Sequence, residues 1–141
     1  MRPRDGSTLI EQVILLAVLG VVTAVGVAGS SRLLDTATVH AATREVGEVF
    51  ALARDRAMAT GTRTAVHLDV ARARVVVHSG VDTLARLDLH QQHAVRIEVT
   101  RDSMSYLASG LGYGAANLRV IVSRGTSRDT LTVSRLGRVR R

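Results

Sequence analysis

Cysteine is missing from all 141 residues, so disulfides, thiol nucleophiles and thiolate metal sites are excluded. That absence does not identify a compartment. Lysine is missing as well, and every one of the 19 basic residues is arginine. There is one proline and no tryptophan, and the aromatics Phe50, Tyr106 and Tyr113 make up 2% of the chain. A core so poor in aromatics must rest on Val, Leu, Ile and Ala. Such a core suits short β-strands better than an aromatic-lined ligand pocket.

The charge is unevenly distributed. Residues 119–141 hold seven arginines (Arg119, Arg124, Arg128, Arg135, Arg138, Arg140, Arg141) against the single acid Asp129, a net +6. Residues 1–118 hold 12 arginines and 11 acids, a net +1. A cationic patch confined to one end fits a polyanionic partner better than a uniformly basic surface does.

Catalytic signals are weak. His40, His67, His78, His90 and His93 are scattered, and only His90 and His93 are close, too few for a metal set. Gly110-Leu111-Gly112-Tyr113-Gly114 is glycine-rich but lacks the Gly-Lys-Ser/Thr ending of a phosphate loop, and it reads as a loop between strands. No nucleophile elbow is present. We expect no catalytic residue, no metal and no cofactor. A signal-anchored periplasmic enzyme is the remaining catalytic alternative.

Residues 12–31 carry no charged side chain, and Val13 to Ala28 are almost wholly Val, Leu, Ile, Ala and Gly. About 20 helical residues, at 1.5 Å each, span a bilayer core of about 30 Å. Arg2 and Arg4 precede the run and favour a cytoplasmic N-terminus; Arg32 beyond it weakens that bias. A cleaved secretory signal would share the basic start and the apolar run. Against that reading stand the length of the run and Glu11 at its beginning. A carboxylate near the centre of a membrane helix costs about 2.5–3.5 kcal/mol, and less near its end, so a partner for it is expected.

Gly6-Ser7-Thr8-Leu9-Ile10-Glu11 followed by the apolar run resembles the N-terminal signal of type IV prepilins and type II secretion pseudopilins. The resemblance implies that a prepilin peptidase removes the leader 1–6 by cutting between Gly6 and Ser7. Glu11 becomes the fifth residue of the mature chain, and the new α-amino group of a neighbouring subunit neutralises it in a filament. A costly charge in lipid then biases subunits toward assembly. Ser7 departs from the family's usual Phe or Met, which leaves N-methylation of the new terminus open. An ordinary signal anchor with an interfacial Glu is the alternative.

Beyond the run, Val39, Val46, Val49, Phe50, Ala53 and Ala57 recur at helical spacing, and Gly61 marks the helix end. Gly20, Gly26 and Gly29 read as packing or softening positions of a membrane helix. A helix from Ser7 to about Thr60 would be roughly 80 Å long. After Gly61 the period becomes two: Val66-Leu68-Val70, Arg74–His78, Leu87-Leu89, Val95-Ile97-Val99, Leu118–Val122 and Thr130–Val133 predict half-buried antiparallel strands. The expected fold is α+β: a long N-terminal helix, half membrane (7–31) and half amphipathic (32–61), packed on a small antiparallel β-sheet head (62–141).

This order is similar to the GspH/FimT branch of minor pseudopilins, which also shows an Ala53-Arg54…Ala57 helix, a Tyr106-Leu107-Ala108-Ser109-Gly110 segment and a late Gly137-Arg138. The resemblance implies a minor subunit that primes or caps a filament, inserted once in a bacterial inner membrane with its head periplasmic. Its implied partners are other pilins or pseudopilins, the peptidase and the membrane. Gly137-Arg138-Val139-Arg140 further resembles a pattern of FimT-like minor pilins that bind double-stranded DNA in natural transformation. In an extended segment Arg138 and Arg140 point the same way, and arginine forks grip phosphate bidentately. Arg135 and Arg141 would add contacts, with Arg119, Arg124 and Arg128 widening the patch. A charged tail that keeps a sheet edge soluble is the competing reading.

Overall fold

The computed structural model describes residues 8–113 and 117–141, apart from the side chains of Val25, Val27, Ala28 and Gly29. Gly6 and Ser7, where the expected cut falls, lie outside the described residues. Helix α1 runs Leu9–Thr60. The chain divides into two compact units, one ending at Leu34 and one spanning Asp35–Arg141.

In the first unit the helix is apolar around its circumference. Leu9, Ile10, Val13, Ile14, Leu15, Leu16, Val18, Leu19, Val21 and Val22 are all exposed. A helix that is hydrophobic all round requires an apolar surrounding. Two hydroxyls in the run are satisfied internally: Thr23 Oγ1 donates to Leu19 O (2.8 Å) and Ser30 Oγ to Gly26 O (2.9 Å). That back-bonding leaves neither hydroxyl unpaired in an apolar medium. Among the described residues, no helix is long and apolar enough to cross a membrane.

In the second unit α1 becomes one-sided. Val39, the pair Ala42 and Thr43, Val46, Phe50, Ala53 and Ala57 are buried, each step along this face being three or four residues, while Arg44, Glu48 and Asp55 face outward. Val49, expected on this face, is half-buried at its margin. Gly61, at φ +65°, adopts the left-handed conformation that ends helices, as its position after the periodic run predicts.

Among the described residues nine strands follow and form the expected antiparallel β head, divided into two sheets. The first contains β1 (Thr64–Asp69), β2 (Arg74–Ser79), β3 (Asp82–Asp88), β5 (Ser103–Tyr106) and β6 (Gly112–Tyr113), in the order β3-β2-β1-β5-β6. The second contains β4 (Arg96–Val99), β7 (Leu118–Arg124), β8 (Ser127–Val133) and β9 (Val139–Arg140), in the order β4-β7-β8-β9. Inward residues of both sheets (Val66, Leu68, Val75, Val77 and Ile97, Val120, Val122, Leu131) share one core with the buried face of α1.

Two local differences have clear causes. The alternation of Leu87-Asp88-Leu89 predicts continuing strand. Instead Asp88 ends β3 and caps the short helix α2 (Leu89–His93): its carboxylate accepts the Gln91 N–H at 3.0 Å and binds Arg74 at 2.8 Å. Leu89 is still fully buried, so the period locates a core residue but not its backbone state. β5 is absent from the expected strands, although Ser103-Met104-Ser105-Tyr106 also alternates. It pairs with β1 through Val66↔Met104 and Thr64↔Tyr106, which buries Met104 and Tyr106.

Candidate functional site

Glu11 lies in the first turn of α1. Thr8 caps that turn: the Glu11 N–H donates to Thr8 O at 3.0 Å and to Thr8 Oγ1 at 3.4 Å. The Thr8-x-x-Glu11 spacing is that of a capping box, in which a Glu or Gln at the fourth position supports the helix start. The residue is exposed, and its carboxylate has no side-chain partner among the described residues.

The basic tail is held by a junction of three segments. The Arg54 Nε–H donates to Gly110 O at 3.1 Å, tying α1 to the loop after β5. Gly137 sits against the same place at φ +74°; a Cβ there would lie 2.6 Å from Gly110 O and 3.0 Å from Arg54 Nε. Nearby, the Gly112 N–H donates to Arg135 O at 2.8 Å. The segments Ala53-Arg54, Tyr106–Gly110 and Gly137-Arg138, far apart in the sequence, therefore meet in space. Gly137 is glycine for two reasons, its left-handed backbone and a contact too close for any side chain. Gly137→Ala is expected to lower unfolding stability by about 2 kcal/mol or more. Denaturant titration reads this directly, and an unchanged midpoint would mean that the tail is not locked at this junction.

Beyond Gly137 the tail enters the second sheet. Val139 pairs with Val133 and packs toward α1, where Gly47 leaves room: a Cβ on Gly47 would lie 3.3 Å from Leu131 and 3.6 Å from Val139. With Val139 turned inward, Arg138 and Arg140 are exposed on either side of it, as the alternation predicts. Arg135 is exposed as well.

The structure sorts these cations into two groups. Arg141 is committed: it donates to Asp129 Oδ2 at 3.0 Å and to the His40 carbonyl at 2.9 Å. Arg124 is committed too, to Asp35 at 2.9 Å and the His93 carbonyl at 2.9 Å. Arg119, Arg128, Arg135, Arg138 and Arg140 have no acidic partner among the described residues. Arg141 and Arg124 thus brace the head, and the expected group Arg135, Arg138, Arg140 and Arg141 is brought together only in part.

Asp129 anchors the Arg141 brace. Partial burial pushes its carboxyl up, but hydrogen bonds from His40 Nδ1 (2.9 Å) and Arg141 outweigh this and hold it below the usual carboxylate range. The brace therefore stabilises the head above the ordinary carboxylate range and is lost as pH falls through the depressed value. Tyr106 behaves in the opposite way. Burial raises its phenol to about 12, against a smaller opposing pull from Arg54, and its hydroxyl has no hydrogen-bond partner among the described residues.

Sequence reasoning missed Arg96, which the sheet places in one row with Arg128. Arg96 pairs with Ser123 and Ser123 pairs with Arg128, so the three form one row across β4, β7 and β8. Only its exposed place in the Val95–Val99 alternation hinted at this. No group of three or more His, Cys, Asp or Glu suited to a metal occurs among the described residues.

No family model matches the sequence, and no curated protein matches it. Solved structures do. The type IV minor pilin FimU of Pseudomonas aeruginosa (strain PAO1) is similar at TM-score 0.62 and 14% identity, over 72% of this chain and 86% of that one. The minor pseudopilin EpsH from the type 2 secretion system of Vibrio cholerae is similar at TM-score 0.57 and 12% identity, over 72% of this chain and 94% of that one. The chain, an N-terminal helix packed on antiparallel sheets, thus has the pilin-like fold of these minor pilins and minor pseudopilins.

Proposed function

We propose that the protein is a minor subunit of a type IV pilus or type II secretion filament and performs no catalysis. The observation that carries this is a head of pilin-like fold joined in sequence to a helix that is apolar and exposed all round. Such a helix is stable only in lipid or against other helices, and a filament core offers the second surrounding after a membrane has offered the first. Residues 7–31 are the membrane and filament-core segment, with the N-terminus cytoplasmic and the head periplasmic. A prepilin peptidase cuts between Gly6 and Ser7.

The test is co-expression with a prepilin peptidase, followed by mass measurement of the product. Loss of the mass of residues 1–6 is expected, with Gly6→Val blocking it. An uncut wild-type chain would overturn the processing step.

A second reading, binding of double-stranded DNA, is favoured by one observation. Arg138 and Arg140 are exposed on both sides of the inward Val139. Their guanidinium groups are available to phosphate, whereas a purely bracing tail would use them as it uses Arg141.

A further inference from the structure

The outward face of the second sheet presents charges in registered rows. Arg96, Ser123 and Arg128 form the first row across β4, β7 and β8. Glu98, Ile121 and Thr130 form the second. Arg119, Thr132 and Arg140 form the third, across β7, β8 and β9. Residues between these rows turn inward: Ile97, Val99, Val120, Val122 and Leu131 are buried or packed on the core. The face thus carries four arginines against one acid, Glu98. None of the four has an ion-pair partner among the described residues. A cleft of about 380 Å³ opens at the first row, between Arg96, Ser123 and Arg128 and beside Glu98, Arg124 and Gly125.

We infer that this face is a phosphodiester-binding plate for double-stranded nucleic acid, with Arg96, Arg119, Arg128 and Arg140 as its phosphate contacts and Ser123 as a hydroxyl donor in the cleft. It deepens the DNA reading of the tail, on which it rests, and moves the centre of binding from the tail onto the sheet.

The spacing supports a polymer rather than a single anion. Strands about 4.8 Å apart place Arg96 and Arg128, or Arg119 and Arg140, about 10 Å from each other, and four residues along a strand separate the outer rows by about 14 Å. These distances bracket the about 12 Å width of the B-DNA major groove, so the two rows reach phosphates on both of its walls. Strands also hold the positions rigidly, so little freedom is lost on binding. A membrane surface is the less suitable occupant. The centre of the plate is Ile121 between Glu98 and Thr130, and none of the exposed large apolar side chains lies on it. Anchoring to a bilayer by a protein face draws on buried apolar area as well as charge.

The test measures binding of full-length protein, in uncharged detergent, to a random-sequence duplex across a salt series. Arg96→Ala/Arg128→Ala is compared with Arg138→Ala/Arg135→Ala and with the charge-keeping Arg96→Lys/Arg128→Lys. Wild type is expected to bind with a steep salt dependence. The plate variant is expected to lose at least tenfold in affinity, and its log K against log[salt] slope to fall by about 2, because two phosphate contacts are gone. The lysine variant is expected to keep most of the slope.

If the tail variant loses binding and the plate variant keeps it, the plate is overturned and the tail reading survives. If wild type fails to bind even at low salt, both fall. A parallel arm uses vesicles of phosphatidylglycerol and phosphatidylcholine. Loss of vesicle binding without loss of duplex binding in the plate variant would overturn the proposal in favour of a lipid surface. Identical thermal unfolding of all variants shows that the losses are not failures to fold.

Discussion

Glu11→Ala is expected to yield a chain that inserts, is cleaved and folds its head normally, yet is absent from sheared filaments. The head is unaffected because its core starts at Val39 and lies wholly within Asp35–Arg141. Two roles for Glu11 are separable. As the fourth residue of a Thr8-x-x-Glu11 capping box it would support the start of α1, a task that Gln performs as well. As a carboxylate among Leu9, Ile10, Val13 and Ile14 it needs a cation in an apolar surrounding, a task that Gln cannot perform. Glu11→Gln is therefore expected to fail in assembly like Glu11→Ala, whereas Thr8→Ala assembles with a modest loss of about 1 kcal/mol in the helix start. Normal incorporation of the Gln variant, quantified in filament preparations against total membrane protein, would sink the pairing role and leave only the cap.

The largest expected loss of stability is at Phe50. It is fully buried on α1, and among the described residues Tyr106 is the only other aromatic in a core made mostly of Val, Leu and Ala. Small branched side chains cannot swing into the space a phenyl ring leaves, so Phe50→Ala should keep most of its cavity and cost about 3–5 kcal/mol. That is a large part of the about 5–15 kcal/mol by which a domain is stable. Phe50→Leu restores most of the volume and is expected to cost less than about 1.5 kcal/mol. Denaturant midpoints with an unchanged m-value check both. A small loss for the Ala variant would mean that the sheets close down on α1 when the ring is removed.

Both predictions trace to features legible along the chain itself. The amphipathic face of α1 follows from spacing alone: Val39, Val46, Phe50, Ala53 and Ala57 are buried where the 3.6 period puts them. The main strands follow from alternation, because one face of each is buried and the other is wet. Alternation fails where a single side chain changes the backbone, as Asp88 does by capping α2, and where the apolar partners are a Met and a Tyr instead of β-branched residues, as in β5. The number of sheets is not legible either, since a period of two says which way side chains point and nothing about which strands pair.

The sites divide in the same way. In the proposed function Gly6, Ser7 and Glu11 would act as chemical marks read along the chain, since a peptidase and a lipid bilayer both meet residues in sequence order. The basic face is different. Sequence placed seven arginines near one end but could not tell the braced ones from the available ones. Folding set Asp129 against Arg141 and Asp35 against Arg124, and it left Arg119, Arg128, Arg135, Arg138 and Arg140 without such partners among the described residues. It also carried Arg96 across β7 to Arg128.

The sequence by itself determined what each segment must do with water: the run after Glu11 must avoid it, one face of α1 and alternate residues of the strands must leave it, and the arginines must stay in it. Those are properties of side chains and their local period. Only the tertiary structure decided which distant residues share a surface, because strand pairing, the Arg54–Gly110–Gly137 junction and the cancelling of charge by charge act over a few ångströms in space between residues far apart in the chain.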